Sequence, residues 1–108
     1  MILKNNVFVT QIQLDNGTEM EFVDKAWYAL NIHKVYPDEK IGIDAFLDWA
    51  RDLTWIKENR IIIIVKGLVN SETMETIEFL NEFWEKEFYE LDGDPEHEKK
   101  VDFIIIEN

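Results

Sequence analysis

The sequence predicts a single α/β domain in which a mostly parallel sheet is covered by helices. Residues 61–65 and 101–106 are largely β-branched and aromatic runs, a pattern typical of parallel strands with both faces buried. A long helical segment separates the two runs, and two strands joined through a helix form a right-handed βαβ unit. A chain of 108 residues holds one core, so residues 1–108 are expected to be one domain.

Charge is the strongest compositional feature. The chain has 23 acidic and 11 basic residues, and the resulting formal net charge of −12 repels nucleic-acid phosphates and anionic lipid alike. There is no cysteine for a disulfide or a thiolate metal site. The first residues, MILKNNVFVTQ, lack the basic region and long apolar run that are typical of a secretion signal, and no stretch approaches the roughly 20 apolar residues of a membrane span. We therefore expect a cytoplasmic protein that contacts neither nucleic acid nor membrane directly.

The first elements are a strand over residues 7–14 and a reversal at Asp15-Asn16-Gly17, whose last two residues tolerate positive φ. Beyond the reversal, Met20 and Phe22 alternate with glutamates, which favours a second short strand and an N-terminal hairpin arm. Residues 23–33 are equally consistent with a helix, so the form of residues 18–35 stays open. The helical alternative has a regular apolar stripe: Val23, Ala26, Trp27 and Leu30.

A helix is predicted from residue 43 to about residue 58, after a loop that begins at Pro37. On one face, Asp44, Asp48 and Asp52 recur every four residues. The opposite stripe is apolar and is expected to be buried: Phe46, Trp49, Ala50 and Leu53.

The last predicted helix spans residues 71 to about 89, and Ser71 is expected to cap its N-terminus. Phe79 and Phe83 fall outside its apolar and acidic faces, and we expect them to pack rather than to form an exposed patch. Residues 72–98 contain eleven acidic residues and one basic residue, so the negative charge is concentrated in this quarter of the chain. The expected buried stripe is Ile77, Leu80, Trp84 and Phe88, and the acidic row is Glu75, Glu78, Glu82 and Glu85.

Recognisable catalytic patterns are missing from the sequence. The aspartate row of the second predicted helix lies at the surface, unlike paired catalytic carboxylates or the loop oxygens of a hard-metal site. His33 and His97 have no nucleophile motif, and the four glycines are too far apart for a phosphate loop. We expect no cofactor, no metal and no enzymatic activity.

Several landmarks resemble the barstar family of intracellular ribonuclease inhibitors. These are Asn16-Gly17, Pro37, the DAFLD segment at 44–48 and the strand that begins at Ile61, at separations close to those of the family. The likeness covers about half the chain, and residues 72–106 match in the order and type of elements. The chain departs from the family in the DEKIGI segment after Pro37, which is one residue shorter, and in Leu47, where a tryptophan is common.

The resemblance implies a barstar-like fold with a three-stranded parallel sheet, and an acidic protein that blocks the active site of a basic nuclease or toxin domain. It implies that Asp44 and Asp48 face arginines and lysines of the enzyme, with Asp48 in place of substrate phosphate. A late glutamate of the last helix, Glu85 or Glu87, would add to the negative electrostatic potential of the binding surface. The expected partner-binding residues are Asp38, Glu39, Gly42, Ile43, Asp44, Leu47, Asp48, Asp52, Glu85 and Glu87.

A different class of function remains open. An acidic adaptor or oligomerisation domain could bind a basic protein through Phe79 and Phe83, with the aspartates serving only solubility. The inhibitor is expected to be a monomer when free, whereas an oligomerisation domain is not.

Overall fold

The computed structural model describes residues 7–90 and 99–106, and for residues 86–90 it describes the helical backbone alone. Three parallel strands in the order β1-β2-β3 form one sheet, which confirms the predicted α/β class and parallel sheet. The elements are β1 (Val7–Leu14), α1 (Glu19–Ala29), α2 (Ile32–Val35), α3 (Ile43–Ala50), β2 (Arg60–Gly67), α4 (Ser71–Glu90) and β3 (Lys100–Ile106). Among the described residues, no helix is both long and apolar enough to span a bilayer.

The described helices cover one face of the sheet only, so the expectation that both faces are covered is wrong for this part of the chain. In β2, Ile61 and Ile63 are buried in the core, while Ile62 between them is only half-buried. The strand order explains this, because crossovers between parallel strands are nearly always right-handed. Two right-handed crossovers that step in the same direction place their helices on the same side.

The expected N-terminal hairpin arm is also wrong. β1 pairs in parallel with β2, and the residues after the reversal form α1, in which the predicted helical stripe is buried. Thr18 caps this helix, since its Oγ1 accepts a hydrogen bond of 3.2 Å from the N–H of Glu21. The Glu21 carboxylate accepts in turn from the backbone N–H groups of Asp15, Asn16 and Gly17, at 2.8, 2.9 and 2.9 Å.

Helix α3 ends at Ala50, eight residues before the predicted end. Leu53 adopts a left-handed backbone conformation with φ of 51° and is fully buried, so the chain turns to bury it instead of continuing the helix. The irregular segment that follows is held by the Trp55 Nε1–H, which donates to the Leu30 carbonyl at 2.8 Å. Asp52 therefore lies just beyond α3, half-buried, and not on the helix with Asp44 and Asp48.

Helix α4 starts at the carboxyl end of the sheet and buries Ile77, Leu80 and Trp84 as predicted, while the side chain of Phe88 lies outside the described residues. Its cap is Asn70 rather than Ser71, because the Asn70 Oδ1 accepts from the N–H of Thr73 at 3.0 Å.

The loops that follow β1 and β2 are in contact at this end of the sheet. The Thr73 hydroxyl donates to the Gly17 carbonyl at 2.7 Å, and the Asn70 N–H donates to the same carbonyl at 3.0 Å. These bonds fix the start of α1 beside the start of α4.

Candidate functional site

Helix α3 presents Asp44 and Asp48 to solvent one turn apart. Asp44 lies in the first turn, where the helix dipole favours a negative charge. The Asp48 side chain is 72% exposed, and its carboxylate is 3.9 Å from the Arg51 guanidinium, an ion pair too long and too exposed to neutralise it. Among the residues whose side chains are described, 7–85 and 99–106, no ion pair involves Asp44. Both carboxylates are exposed and accessible to an external cation.

An open cleft of about 310 Å³ lies beside Leu47, between α1, α3 and α4. Leu47 and Phe79 supply its apolar surface, and none of the described residues that line it is basic. Its polar lining comes from Glu19 of α1 and from Glu72, Glu75 and Thr76 of α4. The cleft can therefore take a cationic group whose aliphatic or aromatic part rests on Leu47 and Phe79.

A hydrogen bond between α1 and α4 positions the acidic wall of the cleft. The Thr76 hydroxyl is nearly buried and donates to the Glu19 carboxylate. The same hydroxyl lies 3.2 Å from the Glu72 carbonyl, one turn earlier in α4. Glu19 is therefore fixed at the cleft, while Glu72 and Glu75 are exposed.

Contacts along α3 and α4 show that the two helices run side by side in the same direction. The Trp84 Nε1–H donates to the Ala50 carbonyl at 2.8 Å, and the Arg51 guanidinium stacks over Phe83 at 5.4 Å from the ring centroid. Leu47, one turn earlier in α3, faces the earlier residue Phe79. The aspartates are thus level with the first half of α4.

The structure accordingly brings together Leu47 and the early glutamates of α4, not the late ones. Glu85 is exposed but follows Trp84, level with the end of α3, and does not line the cleft. Glu87 belongs to α4, but its side chain lies outside the described residues. We use the name acidic face for Glu19, Asp44, Asp48, Glu72 and Glu75.

The loop before α3 lies next to the acidic face and is anchored by Tyr36. The Tyr36 ring stacks on Trp49 at 3.8 Å between centroids and meets Trp55 edge-on at 6.0 Å. Beyond this anchor, Asp38 and Glu39 are exposed.

Two further predicted residues form the start of α3. Gly42, its N-cap, has an extended backbone with φ of −165° and open space around its Cα, so its backbone does not require glycine. Ile43 is half-buried against the core.

The predicted partner-binding set lacks three residues of this surface, Glu19, Glu72 and Glu75, and Phe79 was predicted as a contact only for the alternative adaptor. The expectation that Phe79 packs is wrong, because its side chain is 48% exposed at the cleft, whereas Phe83 does pack against the core. The sequence shows the acidic row of α4, but it does not show which turn of α4 lies beside α3. The sequence leaves the form of residues 18–35 open, so it does not assign Glu19 to a helix.

Comparisons of the chain with protein-family models, with curated proteins and with solved structures found no match. Within the described part of the chain, no group of three or more histidines, aspartates or glutamates is placed to hold a metal ion. The chemistry that the acidic face offers is recognition of cationic groups.

Proposed function

We propose that this protein is a non-catalytic inhibitor that covers the active site of a basic nuclease or nuclease toxin with its acidic face. The observation that carries the proposal is that Asp44 and Asp48 are exposed and that no described side chain neutralises them, beside a cleft lined by three more carboxylates. Nucleases hold substrate phosphate with arginine and lysine, and carboxylates at similar spacing satisfy the same groups.

The electrostatics favour binding in preference to catalysis. Five carboxylates on one surface of a chain of net charge −12 attract a basic partner from a distance and speed its association. The resemblance of residues 16–61 to the barstar family points to the same partner class, with Asp48 in the position of a phosphate.

The test is inhibition of RNA cleavage by a panel of purified basic ribonuclease domains, including any that is encoded beside this chain. The protein should inhibit at least one of them at a stoichiometry of one to one. Asp48→Asn should weaken that inhibition by about 2 to 4 kcal/mol if the charge is desolvated against arginine or lysine. Raised salt should weaken it further by slowing association.

The matched control is Asp24→Asn, which removes the same charge from an exposed position of α1 outside the acidic face. It should change inhibition by less than about 0.5 kcal/mol. Equal effects of the two substitutions, or inhibition that salt does not weaken, would show that the acidic face does not bind the enzyme.

A second candidate, an acidic adaptor for a basic protein, is favoured by the exposure of Phe79 at the cleft. In an adaptor whose contact is aromatic, Phe79→Ser abolishes binding while Asp44→Asn and Asp48→Asn have little effect. The inhibitor predicts the reverse order of effects, together with loss of RNA cleavage.

A further inference from the structure

The sheet face opposite the helices carries a continuous apolar stripe. The register of the three strands places six aliphatic residues on a diagonal that runs from the start of β1 to the end of β3. In sequence order they are Val7, Val9, Ile62, Ile64, Ile104 and Ile106. Val9 is 57% exposed, Ile104 46% and Ile106 42%, so no described residue covers this stripe.

The charges beside the stripe differ from those of the rest of the molecule. Arg60, Lys66 and Lys100 lie on the same face, where the register leaves Asp102 as the only acidic residue among the described strand positions. The Arg60 guanidinium lies 3.5 Å from the Asp102 carboxylate. The bare sheet face is thus locally basic in a chain of net charge −12.

We propose that this face binds a second copy of the chain, forming a twofold dimer in which the apolar stripes of the two sheets pack together. Three strands of seven or eight residues present a face of about 14 by 23 Å, because strands are spaced about 4.8 Å apart and rise about 3.3 Å per residue. Two such faces have a projected area of about 650 Å² in total, which is below the roughly 1,000 Å² of a stable specific interface. The dimer is therefore weak and depends on concentration.

Charge opposes a second copy least at this face. Two strongly acidic chains repel each other through their helical surfaces, whereas the sheet faces bring together the least acidic parts of the two molecules. In a twofold contact, Arg60 of each copy can meet Asp102 of the other, so the charged corner of the face is self-complementary. The acidic faces stay on the outside of the dimer, so each copy can bind its partner independently.

This proposal differs from the sequence-based expectation that the free protein is a monomer. The salt dependence of dimerisation distinguishes it from capture of a basic partner. Added salt screens the repulsion between two anionic chains and strengthens apolar contacts, so dimerisation should become tighter as NaCl rises. Capture of a basic nuclease by the acidic face should become weaker under the same conditions.

The test is sedimentation equilibrium of the full chain from about 1 µM to about 200 µM, a range that covers weak dimers. Ile104→Lys places a charge in the middle of the apolar stripe and should raise the dimer dissociation constant about tenfold or more. The matched control is Leu68→Lys, because Leu68 is 59% exposed but lies in the loop after β2. Circular dichroism of each variant checks that the fold is kept.

A chain that stays monomeric over the whole range overturns the proposal. So does a dimer that Ile104→Lys leaves intact, or one that Phe79→Ser dissociates, since the contact would then lie on α4. Asp48→Asn should leave dimerisation unchanged, so the dimer and the inhibitor proposal can fail separately.

Discussion

Glu21 holds the loop between β1 and α1, and its substitution tests how the start of α1 at the acidic face is fixed in place. Its carboxylate accepts three backbone hydrogen bonds from the loop between β1 and α1, and the Lys25 ammonium lies 3.1 Å away. Burial raises the pKa of Glu21, but these donors outweigh burial and lower the pKa from its ordinary 4.5 to about 2. In Glu21→Gln an amide replaces one of the two accepting oxygens.

The expected loss of stability follows from the change in pKa. The difference between 4.5 and about 2 corresponds to about 3 kcal/mol, since each pKa unit is worth about 1.4 kcal/mol. Glutamine keeps one accepting oxygen, so Glu21→Gln should lower the free energy of unfolding by about 2 kcal/mol at neutral pH. Because the folded-state pKa is depressed, this stabilisation is complete above about pH 4.5 and is lost as pH falls towards 2.

Urea unfolding of the wild type and of Glu21→Gln, followed by tryptophan fluorescence at about pH 7, pH 4 and pH 3, measures the effect. The difference in unfolding free energy should shrink steadily below about pH 4.5. The control Glu78→Gln removes a charge from an exposed position of α4 and should change stability by less than about 0.5 kcal/mol. A difference for Glu21→Gln that is the same at every pH would refute the assignment of the depressed pKa.

Two further predictions concern packing and backbone conformation. Gly67→Ala should cost about 2 to 4 kcal/mol, because φ is 102° and a Cβ there would lie 2.1 Å from the Leu14 carbonyl oxygen, while Gly42→Ala should be tolerated; thermal unfolding compares the two. Trp84→Phe removes the hydrogen bond to the Ala50 carbonyl that holds α3 against α4, and should cost about 1 to 3 kcal/mol in urea unfolding.

The strands and α4 were predictable because their hydrophobic patterns are long and regular. Residues 7–14, 61–65 and 101–106 all fall within observed strands, and Ile77, Leu80 and Trp84 are all buried. In each of these elements the hydrophobic pattern repeats more than once, so local sequence and tertiary packing favour the same structure.

The errors occurred where two local signals competed. Residues 19–22 alternate like a strand, yet Thr18 and Glu21 have the spacing of a helix capping box, and the cap determines the structure. The helical pattern of residues 43–58 continues past Ala50, but burial of Leu53 and the hydrogen bond of Trp55 to Leu30 end the helix early.

The composition of the acidic face was predictable in part. The placement of Asp44 and Asp48 on one face of a helix follows from their spacing alone, and both side chains are exposed in the structure. The cleft depends on how three helices pack, since Glu19 and Glu72 are brought together through Thr76. Contacts between residues more than fifty positions apart cannot be obtained from periodicity in a single sequence.

Competition for the active site of a nuclease that this protein inhibits tests the proposed role of the acidic face most directly. A labelled deoxyoligonucleotide that the nuclease binds but cannot cleave is titrated against this protein, and bound label is followed by fluorescence anisotropy. If Asp44 and Asp48 occupy the phosphate sites, the protein displaces the oligonucleotide completely and Asp48→Asn displaces it less well. A stable ternary complex of nuclease, oligonucleotide and this protein would contradict that placement.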